Sequence, residues 1–188
     1  MTKTQKKAQV IGIGGVSRSG KTTLARFIKD AYKDKKVLII SQDDFVFPDN
    51  EIPKINNKTD WESPRSINFR AIVNKIKASQ EDYDIIIVEG ILAFYNKLLN
   101  RLYDKHIFMH IDRRKFFDRK ENDKRWGPVA KWYIEHIWDS YIRYGKRNLP
   151  EVNILFLDGT KKYDKSSIVD FLEKNEMAGE LFFDLLFL

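Results

Sequence analysis

The sequence predicts an α/β protein in which a five-stranded parallel sheet lies between two layers of helices. Five short apolar runs are bounded by charged or polar residues, and segments with helical spacing separate them. Runs that are apolar throughout are typical of strands buried on both faces, as in a parallel sheet covered by helices. The alternation of strands and helices favours right-handed crossover connections.

The elements follow one another in order along the chain. A β-branched run that ends in glycines predicts the first strand, and the spacing of Leu24, Phe27, Ile28 and Tyr32 predicts a helix directly after it. The five predicted strands cover residues 10–14, 37–40, 85–88, 107–111 and 152–157. Further helical stretches are expected near 66–79, 92–104 and 113–147. Residues 43–66 hold three of the five prolines and predict a long irregular loop, which in a compact domain is usually functional.

Length and composition favour a single domain over residues 1–188. A chain of 188 residues that is 43% hydrophobic can close one core, and the absence of cysteine fits the cytoplasm best. Residues 1–8 are followed by no secretory signal pattern, and no apolar run is long enough for a membrane span, so no membrane partner is expected. The apolar residues 181–188 are interpreted as part of a docked C-terminal helix at about 164–187.

The charge balance points to anionic ligands. The formal net charge is +7, which favours anionic partners in general. Acidic residues are interleaved with the basic ones, and no nucleic-acid-binding signature is present. We therefore expect a small-molecule partner and no nucleic acid, while the oligomeric state stays open.

Residues 15–22 match the phosphate-binding motif G-x-x-x-x-G-K-[ST] at every fixed position, between a predicted strand and a predicted helix. Glycines let backbone N–H groups turn toward a β-phosphate, and the helix directs its positive dipole end there. The Lys21 ammonium can reach the β- and γ-phosphates, and the Thr22 hydroxyl can ligate Mg²⁺. The nucleotide-binding residues predicted here are Gly15, Val16, Ser17, Arg18, Ser19, Gly20, Lys21, Thr22 and Thr23.

One short segment resembles a guanine-binding motif. Residues 57–60 spell N-K-x-D, but they follow a polar, proline-interrupted stretch, under forty residues after the phosphate loop. In GTPases this motif closes a buried strand much further along, and the third predicted strand here ends in Glu89 and Gly90 instead of D-x-x-G. We interpret the match as a coincidence.

Carboxylates follow two of the predicted strands. Asp43 and Asp44 come directly after the second strand, and Glu89 closes the third. Ligands of α/β sheets gather at the carboxyl ends of the strands. Phosphoryl transfer to an alcohol needs a group that orients the hydroxyl and takes its proton, which makes Asp43 or Asp44 the candidate. Glu89 could hold Mg²⁺ through water, or it could be a helix N-terminal carboxylate. The predicted catalytic residues are Asp43, Lys21 and Glu89, and the predicted metal-binding residues are Thr22, Asp43 and Glu89.

With these residues the chain resembles the uridine kinase and nicotinamide riboside kinase family of P-loop kinases. The resemblance runs from the first strand to about residue 162 and is carried by five ordered segments. They are 15–24 (GVSRSGKTTL), 41–45 (SQDDF), 61–68 (WESPRSIN), 87–90 (IVEG) and 157–161 (LDGTK). The resemblance implies a three-layer P-loop kinase fold with a short basic lid at about 113–128, the cofactors ATP and Mg²⁺, and a nucleoside substrate.

The same resemblance assigns residue roles. It implies that Asp43 is the catalytic acid, that Glu89 is a second acid near Mg²⁺, and that Glu62 binds the ribose hydroxyls. It also implies lid arginines that close over the phosphates, and a loop that lies against adenine. The lid candidates are Arg119 and Arg125, the loop includes Gly159 and Thr160, and the substrate-binding candidates are Asp43, Asp44, Phe45, Trp61, Glu62 and Trp126.

The acceptor itself is left open by the sequence. Ser63 stands where uridine kinases typically have a histidine, whereas segments 41–45 and 157–161 look more like nicotinamide riboside kinases. An aromatic slot around Trp61 would suit a pyrimidine or a nicotinamide ring. The expected activity is 5′-phosphorylation of a ribonucleoside in the manner of uridine kinases, with nicotinamide riboside kinase as the alternative. A nucleotide-dependent switch or assembly factor is the more remote one.

The histidines give no sign of a metal site. His106, His110 and His136 show no metal-ligand spacing with one another, and the chain has no cysteine. We interpret all three as structural or exposed.

Overall fold

The computed structural model describes residues 7–124, 127, 129–151 and 153–174. Its main sheet has five parallel strands in the order β2-β5-β1-β6-β7, and β3 and β4 form a separate antiparallel hairpin. The strands are β1 (Gln9–Gly15), β2 (Val37–Ser41), β3 (Lys54–Ile55), β4 (Lys58–Thr59), β5 (Ile85–Gly90), β6 (Lys105–His110) and β7 (Ile154–Asp158). The predicted five-stranded parallel sheet is therefore confirmed.

Helices cover both faces of this sheet. They are α1 (Lys21–Ala31), α2 (Phe69–Ser79), α3 (Lys97–Asn100), α4 (Arg113–Glu121), α5 (Lys131–Ser140) and α6 (Lys165–Glu173). One apolar cluster packs α1 and α6 against side chains such as Ile11 and Ile87. A second cluster packs α2, α4 and α5 against side chains such as Val10 and Val88. Because neighbouring residues of one strand enter opposite clusters, the sheet is buried on both faces, as its apolar runs predict.

The strand register brings the ends of distant segments together. In the parallel pairing, Glu89 of β5 lies opposite Ile13 of β1 on one side and Ser41 of β2 on the other. The phosphate loop follows β1 and a 3-10 turn (Gln42–Phe45) follows β2. The candidate residues at the ends of β1, β2, β5 and β7 therefore share the carboxyl edge of the sheet, where ligands of such folds bind.

Two helical predictions need correction. Within 92–104 the helix is confined to Lys97–Asn100, and the Asn96 side chain fixes its start by accepting bonds from the N–H groups of Leu98 and Leu99. The stretch 113–147 is divided into α4, α5 and a π-helical turn (Tyr141–Gly145). The sequence explains the division between α4 and α5, since Gly127 and Pro128 disfavour a continuous helix there.

The long loop at 43–66 is more ordered than its composition suggests. It contains 3-10 turns at Gln42–Phe45, Asp49–Glu51 and Pro64–Ser66, and the hairpin of β3 and β4. Asn56 and Asn57 turn this hairpin with positive φ angles of 48° and 59°, a conformation that asparagine tolerates.

Some sequence predictions fall outside the described residues. These are the predictions for Arg125, Trp126 and the C-terminal helix beyond residue 174. Among the residues that are described, no helix is both long enough and apolar enough to span a bilayer.

Candidate active site

The phosphate loop curls between β1 and α1. Gly20 caps the start of α1 with a φ of 106°, a left-handed conformation that strains any residue with a side chain. Lys21 is the first residue of the helix, and its Nζ donates a hydrogen bond of 3.0 Å to the carbonyl oxygen of Val16. The ammonium is thereby folded back over the loop, where a phosphate would meet it together with the N-terminus of α1.

Lys21 is nearly inaccessible to solvent, with 8% of its surface exposed. Burial lowers the pKa of this ammonium, while the charges of Glu89, Asp43 and Glu62 act in the opposite direction. The three carboxylates predicted from the sequence for catalysis, metal binding and substrate binding therefore act electrostatically on Lys21.

Glu89 joins the phosphate loop to the second strand. Its Oε1 accepts hydrogen bonds from the Thr22 hydroxyl at 3.0 Å and from the Ser41 hydroxyl at 3.3 Å, and only 5% of Glu89 is exposed. A hydroxyl and a carboxylate side by side are hard oxygen donors of the kind that Mg²⁺ prefers, and Mg²⁺ usually takes one or two protein oxygens besides water and phosphate. The residues present therefore fit Mg²⁺, with Thr22 as ligand and Glu89 behind it.

A cavity of about 520 Å³ opens over this loop. Asp43 lines it together with the phosphate loop and Glu89, although Asp43 and β1 are far apart in the sequence. Asp43 is exposed to solvent as well as lining the cavity. The lining residues are Ser17, Arg18, Ser19, Gly20, Lys21, Thr22, Thr23, Asp43, Glu89, Gly90, Ile91, Met109, Arg119, Gly159, Lys161 and Tyr163.

Arg119 of α4 connects two walls of the cavity. Its guanidinium donates to the carbonyl oxygen of Arg18 at 2.9 Å and to that of Gly159 at 2.8 Å. Gly159 also packs so closely on the phosphate loop that a Cβ there would lie 2.3 Å from the Ser19 carbonyl oxygen. Arg18 approaches the buried carboxylate of Asp123, with 3.8 Å between Nε and Oδ2. The basic helix is thus docked on the phosphate loop.

The segment after β7 contributes more than the sequence suggested. Gly159 lines the cavity, whereas Thr160 turns toward Asp158, whose Oδ1 accepts from its N–H at 2.8 Å and from its hydroxyl at 2.6 Å. Lys161 and Tyr163 line the cavity instead, and neither was among the predicted site residues. Their position two to four residues beyond Gly159 is the signal that could have identified them.

Of the predicted substrate-binding residues that the structure describes, Asp43 lines this cavity, whereas Asp44, Phe45, Trp61 and Glu62 do not. Asp44 is exposed, and Phe45 packs partly against the apolar core. Trp61 is 44% exposed and Glu62 is partly buried. Loss of solvent raises the pKa of the Glu62 carboxyl to about 7, against the lowering effect of Lys120 and His136. The negative charges of Asp43 and Asp60 add to the rise.

Two residues near Glu62 were not predicted as site residues. Lys120 of α4 acts electrostatically on both Glu62 and Lys21, so the charge of the basic helix affects a predicted substrate-binding residue as well as the phosphate loop. His136 of α5 contacts Asp60, two residues before Glu62. Residues 57–60, which spell N-K-x-D, lie in the hairpin and the following turn, and none of them lines the cavity.

A phosphate loop at the carboxyl edge of a parallel sheet, with a carboxylate facing it and a basic helix over it, defines a P-loop protein of the kinase class. No family model matches the chain. The chain is 29% identical over 174 residues to nicotinamide riboside kinase 1 of Homo sapiens, which covers 82% of this chain and 86% of that protein. It is 28% identical over 160 residues to a uridine kinase of Geobacillus kaustophilus, with coverages of 69% and 76%.

Solved structures give the same picture of the fold. A possible uridine kinase from Bacillus stearothermophilus superposes with a TM-score of 0.53 at 16% identity, covering 82% of this chain and 91% of that one. In sequence the chain is thus similar to nicotinamide riboside kinases and uridine kinases, and in fold it is similar to a P-loop kinase. It is accordingly an enzyme of the phosphotransferase class.

Proposed function

We propose that this kinase transfers the γ-phosphoryl group of ATP to the 5′-hydroxyl of a ribonucleoside. The relatives support a nucleoside kinase in general, since they include both nicotinamide riboside kinases and uridine kinases. Uridine is the first acceptor to test, and nicotinamide riboside is the alternative that the human relative favours.

The observation that carries the proposal is the position of Asp43. It lines the same cavity as Lys21, Thr22 and Glu89, at the end of a neighbouring strand. A carboxylate that faces the phosphate loop from the acceptor side can orient an alcohol and accept its proton during in-line transfer. A protein that only bound and hydrolysed nucleotide would not need a carboxylate for a small alcohol.

Each residue of the site has one task in this proposal. Lys21, together with the backbone N–H groups of the phosphate loop, binds the β- and γ-phosphates, and Asp43 holds the acceptor hydroxyl and receives its proton. Thr22 and Glu89 would hold Mg²⁺, which would supply positive charge to neutralise the transferring phosphoryl group. Glu62 accepts hydrogen bonds from the vicinal 2′,3′-diol of the ribose, and Trp61 stacks on the base.

Release of ADP with a panel of acceptors tests the proposal. The purified protein is incubated with ATP and Mg²⁺ and with uridine, cytidine, nicotinamide riboside, pantothenate or a simple sugar. We expect a ribonucleoside to stimulate ADP release and its 5′-monophosphate to form. ATP binding without stimulation by any ribonucleoside would overturn the proposal, and stimulation by pantothenate or a sugar alone would redirect it.

A further inference from the structure

Helix α5 is attached to the loop that carries the proposed acceptor residues. The His136 Nε2 lies 2.7 Å from the Asp60 Oδ1, and both side chains are shielded, with 18% and 17% of their surfaces exposed. One helical turn earlier, the Tyr133 hydroxyl donates to the carbonyl oxygen of Thr59 at 3.3 Å. Residues three apart lie on the same face of a helix, so one face of α5 holds two consecutive loop residues.

Asp60 connects His136 to the backbone of Glu62. The same Oδ1 that meets His136 also accepts a hydrogen bond of 3.3 Å from the backbone N–H of Glu62. The loop is closed further along by Ser66, whose hydroxyl donates to the carbonyl oxygen of Trp61 at 2.9 Å. The backbone on both sides of the Glu62 side chain is therefore fixed by bonds, and one of them depends on the orientation of the Asp60 carboxylate.

His136 itself does not line the nucleotide cavity. Its ring packs on Tyr133, with 5.7 Å between ring centroids, and its Nε2 points to the loop. An imidazole N–H that donates to a shielded carboxylate forms one of the stronger hydrogen bonds in proteins. The geometry of this hydrogen bond limits the rotamers of Asp60. Because Asp60 also binds the Glu62 N–H, it limits the position of the Glu62 backbone as well.

We propose that His136 is a positioning residue for the acceptor: it orients Asp60, and Asp60 holds Glu62 where its carboxylate can bind a ribose diol. This inference rests on the proposed function, because it assigns to Glu62 the task of binding the acceptor. It adds a residue from α5, far along the chain, to a site built from strand ends, α4 and the loop that carries Glu62. His136 affects acceptor binding and acceptor selectivity, and it does not affect nucleotide binding at the phosphate loop.

The expected effect is confined to the acceptor. In His136→Ala the Asp60 carboxylate loses its donor and is free to turn, so Glu62 is held less well. We expect KM for the ribonucleoside to rise about tenfold, in line with the loss of one charged hydrogen bond, while kcat and KM for ATP change by less than about threefold. The preference for a ribonucleoside over its 2′-deoxy analogue is expected to shrink by a similar factor.

Three variants make the test specific. His136→Gln places an amide N–H near the former Nε2 and is expected to restore most of the acceptor affinity and of the ribose preference. Glu135→Gln changes an exposed neighbour on α5 and serves as the matched control. Steady-state kinetics with uridine, 2′-deoxyuridine, nicotinamide riboside and ATP are measured for all variants, along with thermal unfolding and the affinity for a fluorescent ATP analogue.

The outcomes separate the two proposals. If the unmodified protein phosphorylates no ribonucleoside, the proposed function fails and the role of His136 fails with it. If the unmodified protein is active but His136→Ala keeps its nucleoside KM and its ribose preference, the inference alone is overturned. An equal loss of nucleoside and ATP affinity that Gln does not restore also overturns it, because that result describes a purely structural histidine.

Discussion

The Thr22 hydroxyl donates a hydrogen bond of 3.0 Å to Glu89, which connects the phosphate loop to the end of β5, 67 residues further along the chain. The same Glu89 oxygen accepts from Ser41 at 3.3 Å, so Glu89 lies at the junction of three strands. A buried carboxylate beside the proposed Mg²⁺ ligand controls where that ligand points.

Replacing Glu89 should therefore change the response to magnesium. In Glu89→Gln we expect the Mg²⁺ concentration for half-maximal activity to rise about 10- to 100-fold, because a ligand partner and a negative charge are lost near the metal. Magnesium titrations of kcat at saturating ATP measure this effect. Glu81→Gln, at an exposed position before β5, is the control. An unchanged magnesium requirement would assign Glu89 a structural role only.

Lys21 and Asp43 should fail in different ways. Lys21→Ala removes a phosphate contact, so both ATP affinity and turnover are expected to fall. Asp43→Ala removes the group that positions and deprotonates the acceptor, which should lower kcat by about 10²- to 10⁴-fold while ATP binding persists. Nucleotide titration together with steady-state kinetics distinguishes the two variants. Full turnover in Asp43→Ala would transfer the role to Asp44 or Glu89.

Glu62 is expected to determine the choice between ribose and deoxyribose. A shielded carboxylate that accepts bonds from both hydroxyls of a diol is left underpaired when one hydroxyl is missing, which costs about 1.5–3 kcal/mol, or roughly 10- to 100-fold in kcat/KM. Glu62→Gln should reduce this preference. Trp61→Ala should weaken the binding of every base and leave the ribose preference in place. Equal kcat/KM values for uridine and 2′-deoxyuridine in the unmodified protein would remove Glu62 from this role.

Acceptor affinity should also depend on pH. Burial raises the pKa of the Glu62 carboxyl from 4.5 to about 7, so the group is protonated below that value and charged above it. Only the charged form accepts two strong hydrogen bonds from a diol, so KM for a ribonucleoside should fall as the pH rises from about 6 to about 8. Steady-state measurements across this range test the prediction. In Glu62→Gln the dependence should disappear, and its persistence would assign the titration to another group.

The raised pKa of Glu62 affects the stability of the fold in the opposite direction from acceptor binding. Because the folded protein holds the Glu62 proton more tightly than the unfolded chain does, this group favours the folded state below about pH 4.5. That contribution is lost as the pH rises through about 7. A pH that favours binding of the acceptor therefore lowers the stability of the folded protein. Thermal unfolding of the unmodified protein and of Glu62→Gln, measured near pH 4.5 and near pH 7, should show this difference.

The sequence by itself determined the sheet, the phosphate loop and the resemblance to nucleoside kinases. Each is encoded in a contiguous segment: an apolar run for a strand such as β5, a fixed motif for residues 15–22, and helical spacing for α1. Such local patterns follow from the periodicity of the backbone, so they can be recognised without knowing what packs on them. The placement of Asp43 and Glu89 at one edge also followed, since parallel strands end together.

Only the tertiary structure decided which side chains meet across the site. The pairs Arg119 with Gly159 and His136 with Asp60 lie 40 and 76 residues apart, and the division of 113–147 into two helices controls where α4 and α5 reach. In the sequence, His136 is one of three histidines without metal-ligand spacing, and nothing local connects it to Asp60. Contacts of this kind depend on how the helices pack on the sheet. That packing involves the whole core, so the spacing of residues within one segment does not reveal it.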